Sequence, residues 1–279
     1  MNKLLLYLFL SSLFLAGCKG PNEITPREVD ISFSIRSLSS SQTGLTENPD
    51  ENVISKIVMF GVDDQGVVVE IYPAVNVSST AKITQIISDD VKSLYAIANP
   101  SNALAAKTPS SLTEVKALTA DFTTAPQSPF LMSGNANVNG NTVDIELVRC
   151  VAKVVVSGVN GFDVKSVTVM STPDQGYVFA LASLSVPSTV RVNYPESQKQ
   201  TVYVAENTTQ KPTELNVKGT FKGESIQKAV SFEMDGKLVN IERNKCYLIS
   251  VTQEPGQDCD ISISIVDWEE VELDPQYFD

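Results

Sequence analysis

Residues 142–157 constrain the fold more than any other stretch. Val143, Ile145 and Leu147 are apolar at alternate positions, with Asp144 and Glu146 between them. From Val148 the parity reverses, and Val148, Cys150, Ala152, Val154 and Val156 become the apolar set. Successive side chains of a strand point to opposite faces. One continuous strand therefore cannot change its buried face without a bulge, or without passing from one core into another. The simple reading is a long strand that leaves a first core and enters a second near Val148 and Arg149. That divides the body into residues 37–148 and residues 149–279. No Pro/Gly linker intervenes at this point, so two tightly coupled units in a stiff rod are expected.

The remaining pattern is also that of strands. The chain has 279 residues, long enough for two domains of roughly 100–150 residues each. Val, Ile, Thr and Ser are plentiful, which favours strands over helices. Residues 53–62 and 67–69 are dense in Val, Ile, Met and Phe, and Asp63-Asp64-Gln65-Gly66 separates them as a hairpin turn. Both faces of the first run are apolar, so a central position in a sheet is expected. Leu94-Tyr95-Ala96-Ile97-Ala98 reads as a short buried strand. Only residues 102–118 have helix character, with Ser111 and Glu114 at capping-box spacing. In the second half Gly219 and Gly223 read as bends. Residues 246–252 and 261–266 read as a hairpin across Glu254-Pro255-Gly256-Gln257. Many short strands with turn signals predict an all-β protein of β-sandwiches, with at most short helices in connections.

Charge and residue usage exclude several function classes. The net charge is −12 with no basic run, whereas nucleic-acid binding needs clustered Lys and Arg. The chain has no histidine, which removes Ser-His-Asp and Cys-His catalysis and His-ligated zinc. Asp258 and Asp260 flank Cys259 but lack the spacing and glycine of a calcium loop. No nucleophile–base pair or phosphate loop is present, so neither enzymatic activity nor a metal or cofactor is expected.

The N-terminus carries its own signals. Lys3 precedes an apolar run from Leu4 to Leu15, the length of a signal-peptide core and short for a membrane span. Residues 1–17 are thus read as an export signal. The run ends in Leu15-Ala16-Gly17-Cys18, which resembles the lipobox of bacterial lipoproteins. The resemblance implies cleavage before Cys18 and lipid on its sulfur, an anchor of about 0.8 kcal/mol per buried methylene. The alternative is an ordinary secretory signal with an incidental cysteine. A polar tether follows, and then Val29-Asp30-Ile31-Ser32-Phe33-Ser34-Ile35-Arg36, an alternating strand of edge type. Cys150, Cys246 and Cys259 allow one disulfide at most, and the sequence leaves the pair open; on its apolar strand face, Cys150 is expected at least equally as a buried free thiol.

Several short signatures, in order, resemble the type V pilus fimbrillins of Bacteroidales. They are the lipobox, the single strand ending at Arg36, Lys56-Ile57-Val58-Met59-Phe60 with its Asp-Gly turn, and Tyr95-Ala96-Ile97-Ala98-Asn99. Leu131-Met132-Ser133-Gly134 is similar to the family's Met-x-Gly turn, and Arg149-Cys150-Val151-Ala152-Lys153-Val154 to its most recognisable segment. Tyr203-Val204-Ala205-Glu206-Asn207, Arg243-Asn244-Lys245-Cys246-Tyr247 and Asp267-Trp268 complete the set. The resemblance implies two transthyretin-like β-sandwich domains in tandem. It also implies export as a lipoprotein to the outer membrane, with residues 18–36 as a lipidated tether and removable strand. Processing is then expected after Arg36, with Arg27 the second choice; the alternative is that Arg36 is a solvent-facing edge residue that is never cut. Val29, Ile31, Phe33 and Ile35 would fill a groove that a neighbour's strand later occupies. Val271 and Leu273 alternate with acidic residues and fit a donor strand; an ordinary closing strand or a disordered tail is the alternative. Trp268 is read as a core residue.

Two functions follow from these readings. The first is a structural subunit of a surface fimbria, assembled with other fimbrial subunits, tethered to the outer membrane through Cys18 and supporting adhesion to a host or bacterial receptor. The second is a surface lipoprotein that does not polymerise and binds glycan or protein. The second needs an exposed aromatic platform, and the aromatic residues are few and interleaved in strands.

Overall fold

The computed structural model describes residues 26–36, 49–77, 81–253 and 260–267. The first half contains β1 (Arg27–Ile35), β2 (Lys56–Val62), β3 (Val68–Asn76), β4 (Lys82–Ile87) and β5 (Ser93–Ala98). The short helices α1 (Asn102–Ala105) and α2 (Leu112–Lys116) follow, then β6 (Thr119–Asp121), β7 (Met132–Asn137) and β8 (Thr142–Arg149). The second half runs through β9 (Val151–Val159), β10 (Phe162–Met170), β11 (Thr172–Pro173), β12 (Gln175–Tyr177), β13 (Arg191–Val192) and β14 (Thr201–Ala205). It closes with β15 (Glu214–Phe221), β16 (Glu224–Ser231), β17 (Glu233–Met234), β18 (Lys237–Leu238), β19 (Lys245–Thr252) and β20 (Asp260–Asp267). The protein is all-β apart from short helices, as the pattern predicts.

The hairpin forms where the turn chemistry demands it. The Asp63 carboxylate accepts from the Gln65 and Val67 amides at 2.9 and 2.8 Å, and Gly66 takes a φ of +80° that L side chains rarely adopt. β2 is buried on both faces and lies between β3 and β5, as its two-sided apolar run requires. Ser111 caps α2 by accepting from the Glu114 amide at 3.3 Å. Glu114 reaches back one residue further than a capping box, to the Ser110 amide at 2.7 Å.

Seven strands join in the order β3-β2-β5-β7-β8-β1-β4 and enclose a first core. β1 pairs antiparallel with β4 and parallel with β8. The edge-type reading of this strand is corrected: it is hydrogen-bonded on both sides. Its solvent-facing polar residues reflect one open face of the sheet, and do not mark an unpaired edge. At the β7–β8 crossing, a Cβ on Gly134 would lie 2.1 Å from the Glu146 carbonyl oxygen. The Met-x-Gly signature is thus a close backbone approach.

In the second half β14-β9-β19-β20 and β10-β15-β16 enclose a second core. Val154 and Val156 of β9 and Ile249 of β19 share it with Val167 of β10 and Val217 of β15, the arrangement of a sandwich. Gly219 lies inside β15 and is not a bend. A Cβ there would meet the Phe162 ring at 2.5 Å, whereas Gly223, with φ +85°, makes the turn into β16.

The parity change falls later than Val148. β8 buries Val143, Ile145, Leu147 and then Arg149, and the strand breaks for one residue at Cys150. Cys150 and Val151 still face the first core, and Ala152 opens the second. A buried arginine continues the first parity, and a hydropathy pattern does not register it. The first core also takes Val178, Phe179 and Ala205 from beyond this point.

Candidate functional site

β1 is the element on which the functional reading rests. Ile31, Phe33 and Ile35 stand level with Val143, Ile145 and Leu147 of β8, and Ile31 with Ile83 of β4. Val29, Ile31, Phe33 and Ile35 are all buried, with at most 7% of any one exposed. At about 1.5–3 kcal/mol per buried side chain, these four supply roughly 6–12 kcal/mol of gross apolar burial. On the opposite face Asp30 accepts from the Thr84 hydroxyl at 2.8 Å, and Ser32 donates to Asp144. Beyond the paired registers, the Phe33 amide donates to the Ala81 carbonyl at 2.9 Å.

The two arginines at the ends of β1 differ in setting. Arg27 lies within the strand opposite Ile87 and is half-buried. Its guanidinium reaches the Val138 carbonyl at 3.5 Å and Asp89 at 3.9 Å. Arg36 follows the last residue of β1 and is exposed. Its side chain stands 3.9 Å from Glu146, an exposed pair that contributes little. Its backbone is held more firmly. The Arg36 amide donates to the Leu147 carbonyl at 2.7 Å, and the Arg36 carbonyl accepts from Asn244 Nδ2 at 3.1 Å.

Asn244 belongs to a polar cluster buried where the two cores meet. Its Oδ1 accepts from Arg149 Nη1 at 2.9 Å, and its backbone amide donates to the Val151 carbonyl at 2.8 Å. Arg149 is fully buried; it also donates to Asn52 Oδ1, and to the Glu51 carbonyl at 3.3 Å. The Glu51 carboxylate pairs with Lys153 at 3.0 Å, both side chains 3% exposed, and accepts from the Tyr203 hydroxyl. Burial raises the Tyr203 pKa, and the Glu51 carboxylate raises it further. Buried charges persist only when paired and hydrogen-bonded, and this cluster meets that condition. A second cluster holds Arg243 against Glu206, the Val178 carbonyl at 2.7 Å and the Tyr177 carbonyl at 2.6 Å.

The reading of the sequence missed Glu51, Arg149, Lys153, Arg243 and Asn244 as partners. A signal was present at Arg149 and Lys153, which interrupt the apolar run 147–156. Their partners are distant in sequence and carry no local mark. Cys150 and Cys246 are free and buried, so they are not paired with each other, and the buried-thiol expectation for Cys150 holds. Burial pushes the Cys246 thiol up to about 11, opposed by the nearby Lys153 ammonium. Cys18, Cys259, Trp268, Val271 and Leu273 lie outside the described residues.

A cleft of about 680 Å³ runs beside β14 and is lined in part by Tyr194, Glu196, Lys199 and Tyr203. Tyr194 is buried, with its hydroxyl on the Phe122 carbonyl. It does not offer the flat exposed ring that sugar binding uses. Among the described residues no group of three or more His, Cys, Asp or Glu side chains is placed to hold a metal ion, and no helix is long and apolar enough to cross a membrane.

No family model matches the sequence, and no curated protein matches it significantly. Solved structures do match. A candidate cell adhesion protein from Bacteroides eggerthii aligns over 89% of this chain and 98% of its own, at 18% identity and a TM-score of 0.63. The fold is that of fimbrial proteins. The fimbrilin FimA of Porphyromonas gingivalis aligns over 87% of this chain and 98% of its own, at 15% identity and a TM-score of 0.60. The tip fimbrial protein Mfa3 of the same species aligns over 87% of this chain and 100% of its own, at 14% identity and a TM-score of 0.57. At these identities the likeness is one of fold, and it spans 87–89% of the chain.

Proposed function

We propose that this chain is a structural subunit of a cell-surface fimbria, exported as a lipoprotein on Cys18 and assembled by strand exchange, and that it supports adhesion. The observation that carries the reading is β1. It is a single strand next to the N-terminus, inserted between β4 and β8, with four buried apolar residues and an exposed arginine just past its end. Cutting after Arg36 detaches all of β1. Cutting after Arg27 leaves Glu28 to Ile35 in the sheet and opens nothing. The exposure of Arg36 and the half-burial of Arg27 favour the same choice.

Removal of β1 would leave the facing edges of β4 and β8 without partners, above an apolar floor. Unpaired strand edges capture extended segments, and residues 269–278, with Val271 and Leu273, fit that role from a neighbouring subunit. The fold shared with FimA and Mfa3 is in keeping with a fimbrial role. An Arg36→Ala chain in its own cells is expected to reach the surface and to yield no SDS-resistant ladder, whereas Arg27→Ala assembles as the wild type does. Equal ladders from Arg36→Ala and wild type would end this reading. They would favour a non-polymerising surface lipoprotein only if the ladders proved to be unrelated aggregates.

A further inference from the structure

The backbone of Arg36 is tied at both its amide and its carbonyl. The Arg36 amide is tied to Leu147, and its carbonyl, the one a protease must attack, is tied to Asn244 from the far half of the chain. We infer that Asn244 is a positioning residue that latches the Arg36–Ser37 bond against the body, so that cleavage there waits on release of this contact. The inference rests on the reading of Arg36 as the processing residue and adds what regulates it.

The orientation of the Asn244 amide is not arbitrary. A guanidinium has donors and no acceptor, so Arg149 obliges Asn244 to turn Oδ1 inward. Nδ2 then faces outward, toward the Arg36 carbonyl. The backbone of Asn244 has φ +57°, a left-handed conformation that asparagine and aspartate tolerate better than most residues. It is fixed there by the bond from its amide to Val151. Asn244 is only 4% exposed, so water does not freely replace the contact. The buried Arg149 thus sets the direction of a hydrogen bond that ends on the scissile carbonyl. The seam between the cores and the end of β1 are joined through one side chain.

Proteases act on backbone that is free of hydrogen bonds. When opening is fast relative to cleavage, the rate follows the population of the open form. Asn244→Asp isolates the latch. Aspartate keeps the left-handed backbone and still accepts from Arg149, but it has no donor for the Arg36 carbonyl. Losing one hydrogen bond is expected to speed cleavage after Arg36 by about fivefold or more.

The test uses the full chain in detergent with limiting trypsin, following by mass spectrometry the fragment that begins at Ser37. The Lys237–Leu238 bond, in the exposed hairpin of β17 and β18, is the internal reference. A gain of about fivefold or more after Arg36, with Lys237 unchanged, supports the latch, as does a site cut only in the variant. Equal rates in wild type and variant overturn it, and so does a rise of the same size at both bonds, which would report general loosening. A site resistant in both chains also overturns it. None of these outcomes decides whether the fimbrial reading holds; that depends on assembly of the Arg36→Ala chain.

Discussion

Arg149 and Asn244 stand 95 positions apart in the chain and share a hydrogen bond of 2.9 Å in the buried seam. One comes from the last residue of β8 and the other from the turn before β19. Around them hydrogen-bonded polar groups join the two halves of the chain, beside the Phe130 and Tyr203 rings, whose centroids are 4.5 Å apart. A seam of that kind has a directional geometry and tolerates little sliding, because each displaced group becomes a buried polar atom without a partner.

Arg149→Leu tests this view. It removes the donor for Asn52, Asn244 and the Glu51 carbonyl together. The Glu51 and Asn244 acceptors are buried and Asn52 is half-buried; at about 1–3 kcal/mol for each buried acceptor that loses its donor, urea denaturation should report a loss of about 2 kcal/mol or more. A loss below about 1 kcal/mol, within the range of an ordinary surface change, would mean that water or neighbouring groups satisfy the seam without Arg149.

The Glu51–Lys153 pair makes a second prediction. Lys153→Met takes away the ammonium 3.0 Å from the buried Glu51 carboxylate, at a cost of up to about 3–5 kcal/mol. Adding Glu51→Leu removes the stranded charge, and the double variant is expected to be more stable than Lys153→Met alone. A double-mutant cycle by urea denaturation measures the coupling. Additive costs would show that the two charges do not depend on each other.

Cys246 gives a pH dependence with a defined sign. Its thiol is raised from 9.0 in the exposed state to about 11 by burial. The folded protein therefore holds the proton more tightly than the unfolded chain. This contribution is fully present below about pH 9 and is lost as pH rises toward 11, by at most about 2–3 kcal/mol. The unfolding free energy of the wild type should fall more steeply between pH 9 and 10 than that of Cys246→Ala. Parallel curves would show that Cys246 ionises as readily folded as unfolded.

Much of the fold was legible because strands write their burial into alternate residues. Val29 to Ile35, the Asp63–Gly66 turn and the apolar run of β2 were readable for that reason. The seam was not legible, since Arg149 and Lys153 look like solvent-facing residues until Asn244 and Glu51 are brought beside them. The neighbours of β1 were hidden likewise. Nothing in its own alternation distinguishes an edge strand from one paired on both sides; the distinction lies in β4 and β8, about 50 and 110 residues away by the register pairs Ile31–Ile83 and Ile31–Val143. The order Asn244 imposes on the Arg36 carbonyl depends on both, and so appears only in three dimensions.

The most direct measurement is the N-terminal sequence of the protomer within filaments sheared from the cell surface. Residues 18–36 as a detachable filler of the first core predict protomers that begin at Ser37, with β1 absent from the filament and Cys18 retained only on unprocessed chain. Filaments whose protomers still begin at Cys18 and retain Val29, Ile31, Phe33 and Ile35 would contradict the account.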